Sequence, residues 1–336
     1  MGEEAKALGH HILLICTPSL KASAAAAEVR KSLGEGLVAE FDGVAPHVPQ
    51  EAVAAATSLA EQNHANVVVA MGGGSAIGVG KAVVLASGSP LIAIPTTYAG
   101  SEMTSVVGIT NRTEGKKRVQ KNPAVLPRLV VYDPKITLDL SPELTASTAM
   151  NALAHCVEAS YARDASPEVQ AVALDGIRHI VRSLPLCVAD GRDIEAREDL
   201  LQGAHLAGLS IANSTMALHH GLCHVLGGRT GVPHGVLNAI VLPHVMRFNA
   251  DAVPDAMSAI ADSMDAGART RDVQAPARFT AALLESLPVP KRLRDVGVKE
   301  AMLDSFAAEA AANPTVRANP KPASEAEIRQ LLGSAW

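Results

Sequence analysis

The chain is 336 residues long, carries a formal net charge of −5, and is 48% hydrophobic but only 2% aromatic. That length supports two ordinary domains with cores of their own. The scarcity of rings removes the stacking platforms single-stranded nucleic acid needs, and no basic stripe offers a duplex footprint, so nucleic acid is not expected as a partner. Cys16, Cys156, Cys187 and Cys223 are scattered without a CxxC pair, which points away from a zinc knuckle or disulfide framework and toward a reducing cytoplasm. No apolar run reaches the roughly 18 residues of a membrane span, and no charged segment leads into an apolar one at the start, so neither insertion nor export is expected.

In chain order, ILLIC from Ile12 reads as a short buried strand that ends in a turn at Pro18. An Ala-rich helix is expected from about Lys21 to Leu33, then a strand over Leu37–Phe41. A loop punctuated by Pro46 and Pro49 follows, and then a helix over Gln50–Gln62. NVVVAMGGGSAIGVGKAVVLASG, from Asn66, runs from an apolar strand through a glycine turn into a helix. LIAIP from Leu91 and LVVYDP from Leu129 read as further strands. Near-continuous apolar strands alternating with helices argue a parallel sheet covered on both faces. From about Pro142 helical periodicity takes over, in Thr145–Tyr161, Pro167–Ser183, Ile194–Ser210 and later stretches. A Pro-rich loop, AANPTVRANPKPAS, precedes a final short helix. The expected fold is therefore a Rossmann-like α/β domain over residues 1–140 and an all-α domain over 141–336.

Three stretches carry chemistry. Gly72, Gly73, Gly74 and Ser75 lie between a strand and a helix, where bare backbone can approach a pyrophosphate and the helix start favours anionic oxygens. The spacing is neither G-x-G-x-x-G nor a Walker A loop. PTTYAGSEMTS, from Pro95, places the hydroxyls of Thr96, Thr97, Tyr98, Ser101 and Thr104 after a parallel strand, the end at which open α/β sheets bind ligands. LHHGLCHVLGGRTGVPHG, from Leu218, sets His220 and His224 four apart on one helix face, about 5–6 Å apart at Cβ. Gly227 and Gly228 are expected to stop that helix, with Pro233 opening the next and His234 in its first turn. Asn151 and His155 in MNALAHCVE form a second pair at helical spacing.

With GGGS, PTTYAGSE, NALAH and HHGLCHVLGGRTGVPHG in this order, the chain resembles the iron-containing, or group III, alcohol dehydrogenase family and, within it, the maleylacetate reductases. The resemblance covers nearly the whole chain. It implies a dehydroquinate-synthase-like N-terminal nucleotide-binding domain, a helical C-terminal domain, a cleft between them, and a homodimer. In metal-dependent members an aspartate, a histidine four residues on, and two histidines fourteen apart hold Fe²⁺ or Zn²⁺. Those positions fall on Asn151, His155, His220 and His234. An amide replaces the carboxylate, as the reductases have it, and the resemblance implies that no metal is required. Gly78 in GGGSAIG, where the family carries aspartate, and Tyr98 follow the reductase pattern too. Many reductases carry lysine where Gly221 stands, so part of their anion-binding charge is expected to be missing.

The activity implied is NAD(P)H-dependent reduction of maleylacetate, an enone dicarboxylate, to 3-oxoadipate in aromatic-compound breakdown. Its rival is a metal-dependent alcohol or aldehyde dehydrogenase of the same family. On this reading Gly73, Gly74 and Ser75 hold the pyrophosphate, Lys117 lies near the nicotinamide ribose, and Thr96 and Thr97 line the cofactor site. Tyr98 and Ser101 contact substrate. His155, His220 and His234, with the amide of Asn151, polarise the ketone, and His224 takes part in proton delivery. Pro18 occupies the place of an aspartate that would repel a 2′-phosphate, so NADH is expected with tolerance for NADPH.

Overall fold

The computed structural model describes residues 1–111, 116–264 and 272–336, and the side chains at 116 and 117 are outside the description. The chain divides into two compact units, Met1–Thr137 and Leu138–Trp336.

The first unit is built on a parallel five-stranded sheet of β1 (Ile12–Cys16), β2 (Leu37–Phe41), β3 (Val67–Gly72), β4 (Leu91–Pro95) and a strand over Leu129–Val130, in the order β2-β1-β3-β4-Leu129–Val130. Every residue of β1, β3 and β4 is buried. That is why their sequences read as unbroken apolar runs rather than as alternation. The connecting helices α1 (Gly2–Leu8), α2 (Ala24–Leu33), α3 (Gln50–Gln62) and α4 (Gly74–Ser87) bury Ala, Val and Leu against the sheet in two separate cores. Gly80 brings α4 close to the sheet, since a Cβ there would lie 2.8 Å from that of Ala70.

Three features depart from the expectations. The last strand is two residues long rather than the length of LVVYDP, because the chain turns at Pro134 into a 3₁₀ segment. The helix α1 precedes the first strand and is tied to α2 by a hydrogen bond from the Gly2 amide to Ser32 Oγ at 3.0 Å. Between β4 and the last strand, β5 (Val106–Asn111) and β6 (Lys116–Lys121) form an antiparallel hairpin. Its anchor is Val107, buried in the α3–α4 core. In chain order the strand over Leu129–Val130 is therefore β7.

The second unit is helical among the described residues: α5 (Pro142–Tyr161), α6 (Pro167–Ala189), α7 (Ile194–Ala212), α8 (Leu218–Thr230), α9 (His234–Asn249), α10 (Pro254–Met264), α11 (Ala275–Ser286), α12 (Leu303–Ala312), α13 (Pro314–Arg317) and α14 (Glu325–Ala335). Several starts follow local capping rules. Ser141 and Ser166 accept from Leu144 and Val169 amides, each with Pro at the first helical position, and Ser324 and Glu327 form a capping box. The helix α5 is buried almost all round and packs against α6, α7 and α9.

The expected stop at Gly227 and Gly228 is corrected. The helix α8 runs through both to Thr230 and ends at Gly231, whose φ of +70° is left-handed and whose amide returns to the Gly227 carbonyl at 3.0 Å. Two glycines inside a helix cost roughly 1 kcal/mol each relative to alanine. Burial of Val225 and Leu226 and the close approach of Leu237 to Gly227 outweigh it. Among the described residues no helix is long and apolar enough to cross a membrane.

Candidate active site

In the first unit, the β3–α4 turn forms a bare backbone cradle. Gly72 sits at φ +149°, and a Cβ there would lie 2.7 Å from that of Ala76 and 3.0 Å from Thr17 Cγ2. At Gly73 a Cβ would meet the Thr97 side chain at 3.1–3.2 Å. At Gly74 the nearest side-chain atom is Ser101 Oγ, at 3.7 Å. Gly73 is the N-cap of α4 and supplies no side-chain cap, so the first amides of that helix are available to an anion. Gly73, Gly74 and Ser75 are half-buried. Ser101 Oγ is buried without a hydrogen-bond partner. These features fit a dinucleotide pyrophosphate. Thr96 is buried, and its amide ties the end of β4 to the Gly72 carbonyl at 3.1 Å. Tyr98 is fully buried. The Lys117 side chain lies outside the described residues.

Sequence reasoning overlooked Lys81, although it is the one charge in the apolar helix GVGKAVVLAS. Its buried Nζ donates to the carbonyls of Ser101 and Thr104 at 2.6 Å, to Thr104 Oγ1 at 2.9 Å and to the Val106 carbonyl at 3.0 Å. Burial lowers its pKa to about 8, against the pull of Glu102. The ammonium thus pins the Ser101–Val106 turn, and with it Ser101, beside Gly74.

In the second unit, α5 presents Asn151, His155 and Glu158, spaced i, i+4 and i+7 and all buried. The start of α8 brings His219 and His220, the next turn His224, and the first residue of α9 is His234. Of the residues expected from the sequence, the histidines converge. The His155 and His220 rings stack at 4.7 Å between centroids, His220 lies 5.9 Å from His234 and 6.4 Å from His224, and His224 stacks on His234 at 5.3 Å. Asn151 lies one turn before His155 on the same helix face. His224 is exposed and His234 half-buried.

Burial, reinforced by the neighbouring imidazoles, holds His155, His220 and His234 well below the ordinary histidine pKa. They are therefore neutral near pH 7, each offering one N–H and one lone pair. His155 Nδ1 and His220 Nε2 are buried without a hydrogen-bond partner in the protein. Buried nitrogens of this kind ordinarily meet a ligand or water.

Glu158 and His219 were not read from the sequence. Glu158 Oε2 accepts from His220 Nδ1 at 2.7 Å, and its two oxygens take the amides of Ala217, His219 and His220 at 3.1, 2.9 and 3.4 Å. His219 Nε2 donates to the Asn238 carbonyl at 3.1 Å. A carboxylate three residues after His155 on a buried helix was the available signal.

The positions that hold metal elsewhere in the resembled family supply an amide and three neutral imidazoles here. Among the described residues, the group of three whose ligand atoms all lie within 4.8 Å of one another is Glu158, His219 and His220, and its atoms are already hydrogen-bonded to each other and to backbone. Imidazole suits Zn²⁺ and Fe²⁺, but the first set lacks the anionic oxygen of the metal-dependent members, and the carboxylate of the second is occupied by His220 and backbone amides.

Comparison with known proteins gives the family. Residues 1–134 match the model of the iron-containing alcohol dehydrogenases, and residues 145–336 match the C-terminal model of the Fe-containing alcohol dehydrogenase family. A maleylacetate reductase of Sphingobium indicum is 38% identical, covering 100% of this chain and 92% of the relative. The crystal structure of a maleylacetate reductase from Agrobacterium tumefaciens superposes with a TM-score of 0.91 at 36% identity, over 100% of this chain and 92% of that one. The structure of a sulfoacetaldehyde reductase from Bifidobacterium kashiwanohense in complex with NAD⁺ gives 0.90 at 25% identity, over 100% and 93%. The chain belongs to the iron-containing alcohol dehydrogenase family of NAD(P)-dependent oxidoreductases.

Proposed function

We propose that the chain reduces the carbon–carbon double bond of maleylacetate to give 3-oxoadipate, using NADH in preference to NADPH and requiring no metal. The observation that carries this reading is the amide of Asn151 at the head of the α5 polar stripe, in a chain similar over its whole length to maleylacetate reductases.

Gly73, Gly74 and Ser75 hold the pyrophosphate through backbone amides, with Thr97 and Ser101 as walls of the same cradle. NAD(P)H supplies a hydride to the alkene carbon β to the ketone. Negative charge then passes to the ketone oxygen, and Asn151 with the imidazoles of His155 and His234 forms the polar set that stabilises it, beside His220. Each preorganised donor of this kind is worth about 10²- to 10³-fold in turnover. His224, exposed at the edge of the cluster, takes part in passing a proton between solvent and the enolate carbon.

The test is NADH oxidation in the presence of maleylacetate, with 3-oxoadipate identified as product. Substantial turnover on maleylacetate and little on simple aldehydes is the expected result. The reverse preference would refute the assignment.

A further inference from the structure

We infer that Glu158 is a positioning residue: it holds the Nδ1–H of His220, fixes the plane of that ring, and leaves Nε2 of His220 as a lone pair available to the reactants. The inference rests on the proposed function for its kinetic consequence, but not for the hydrogen-bond geometry.

Glu158 is fully buried, and its carboxylate lies at the start of α8. Three of the helix's opening amides point at it, and these groups, with the positive end of the helix dipole, favour the ionised form. Burial pushes the carboxyl the other way. Both Glu158 oxygens already accept backbone N–H groups, so the acceptor geometry assigns the proton in the 2.7 Å contact with His220 to Nδ1. The remaining nitrogen of a neutral imidazole is then an acceptor, and His220 Nε2 is a buried atom without a protein partner. His155 stacked on one face, at 4.7 Å, and His219 edge-on, at 5.0 Å, keep the ring from turning away.

A helix cap alone does not account for this residue. Ala217 is the N-cap of α8 and supplies no side-chain bond. A hydroxyl there would satisfy an opening amide at a much smaller desolvation cost than a carboxylate carried from α5. What a local hydroxyl would not do is reach the far nitrogen of His220.

The consequence divides the polar set by role. Held as the Nδ1–H tautomer, neutral His220 cannot donate to the ketone oxygen, so that duty passes to the Asn151 amide and the N–H groups of His155 and His234. His220 instead accepts from a proton-bearing group, such as a water that resupplies the enolate carbon. This changes its place from the ketone-polarising role expected from sequence.

The experiment combines ¹⁵N NMR of the imidazole nitrogens in the full-length protein with the kinetics of Glu158→Ala and Glu158→Gln. In the unsubstituted protein His220 is expected to carry its proton on Nδ1. Glu158→Ala is expected to shift the proton toward Nε2 and to lower kcat by about 10- to 100-fold, the usual cost of removing the group that orients a functional histidine. KM for NADH should move less than about threefold. Glu158→Gln keeps an acceptor oxygen where Oε2 stands, so it should retain the Nδ1–H tautomer and recover most of the lost kcat. A proton on Nε2 of His220 in the unsubstituted protein overturns the inference, whatever the substrate proves to be. So does an unchanged kcat in folded Glu158→Ala, which would leave only a capping role. If that variant does not fold, the Glu158→Gln kinetics and the NMR of the unsubstituted chain still decide. Failure to turn over maleylacetate while the Nδ1–H tautomer is present would refute the proposed substrate and leave the positioning intact.

Discussion

Substituting Gly73 by alanine separates cofactor binding from folding. Gly73 has φ −78° and ψ −168°, a conformation open to any residue, so no backbone strain opposes the change. The added Cβ would stand 3.1 Å from Thr97 Cγ2 and 3.2 Å from Thr97 Oγ1. A half-buried threonine can give by a few tenths of an ångström, and the expected loss of stability is below about 1 kcal/mol. On the proposed placement, a pyrophosphate oxygen held by the α4 amides would meet that methyl directly. Loss of one charge-assisted hydrogen bond costs about 1.5–3 kcal/mol, or roughly a 10- to 150-fold rise in Kd for NADH. Titration of NADH fluorescence against the variant, beside a thermal melt, reads both quantities. An unchanged Kd in a folded Gly73→Ala protein would refute the placement of the pyrophosphate on this turn.

Asn151→Asp restores an anion to the head of the α5 stripe. Zn²⁺ affinity, measured by equilibrium dialysis, should rise at least about tenfold, and no change would contradict the account of the donor set. Acid should destabilise the folded chain. His155, His220 and His234 have depressed folded pKa values, so the native state binds fewer protons than the unfolded one once pH falls below the ordinary value of about 6.5. Stability present above that pH is then lost at up to about 1.4 kcal/mol per pH unit for each histidine. Glu158, raised by burial, works against them. Denaturant midpoints that do not fall between pH 7 and 5.5 would contradict this. Gly221→Lys should cost about 1–3 kcal/mol in chemical denaturation, because a Cβ there lies 2.5 Å from Val316 Cγ2 and 3.2 Å from the Val316 amide nitrogen. Trimming Val316 to alanine should return part of it, and full tolerance of the lysine would contradict the close contact of α8 with α13.

The parallel sheet was legible because β1, β3 and β4 are covered on both faces and so read as continuous apolar runs. The hairpin escaped because KKRVQK of β6 has a single apolar residue, Val119, and its described side chains, from Arg118 to Lys121, are exposed. Nothing alternates when neither face is buried. The end of α8 was misplaced because a glycine pair reads as a stop, and sequence cannot show that contacts of Val225, Leu226 and Leu237 outweigh the pair's conformational cost. The histidine cluster was visible from spacing within α8 and from the Pro233–His234 start, and its counterpart on α5 from the Asn151–His155 pair. Glu158 and Lys81 were missed for a shared reason. Each acts through groups distant in the chain: Glu158 through amides 59 to 62 residues on, and Lys81 through carbonyls 20 to 25 residues on.

On the proposed function, the polar set around Asn151 and His155 supports reduction of an enone by NADH without a metal ion. The most direct measurement is the rate of NADH oxidation with maleylacetate, before and after exhaustive EDTA treatment, with metal content determined in both samples. A substantial rate that survives complete removal of metal is predicted. Activity that disappears with the metal and returns on adding Fe²⁺ or Zn²⁺ would contradict the account and place Asn151 in a working metal site.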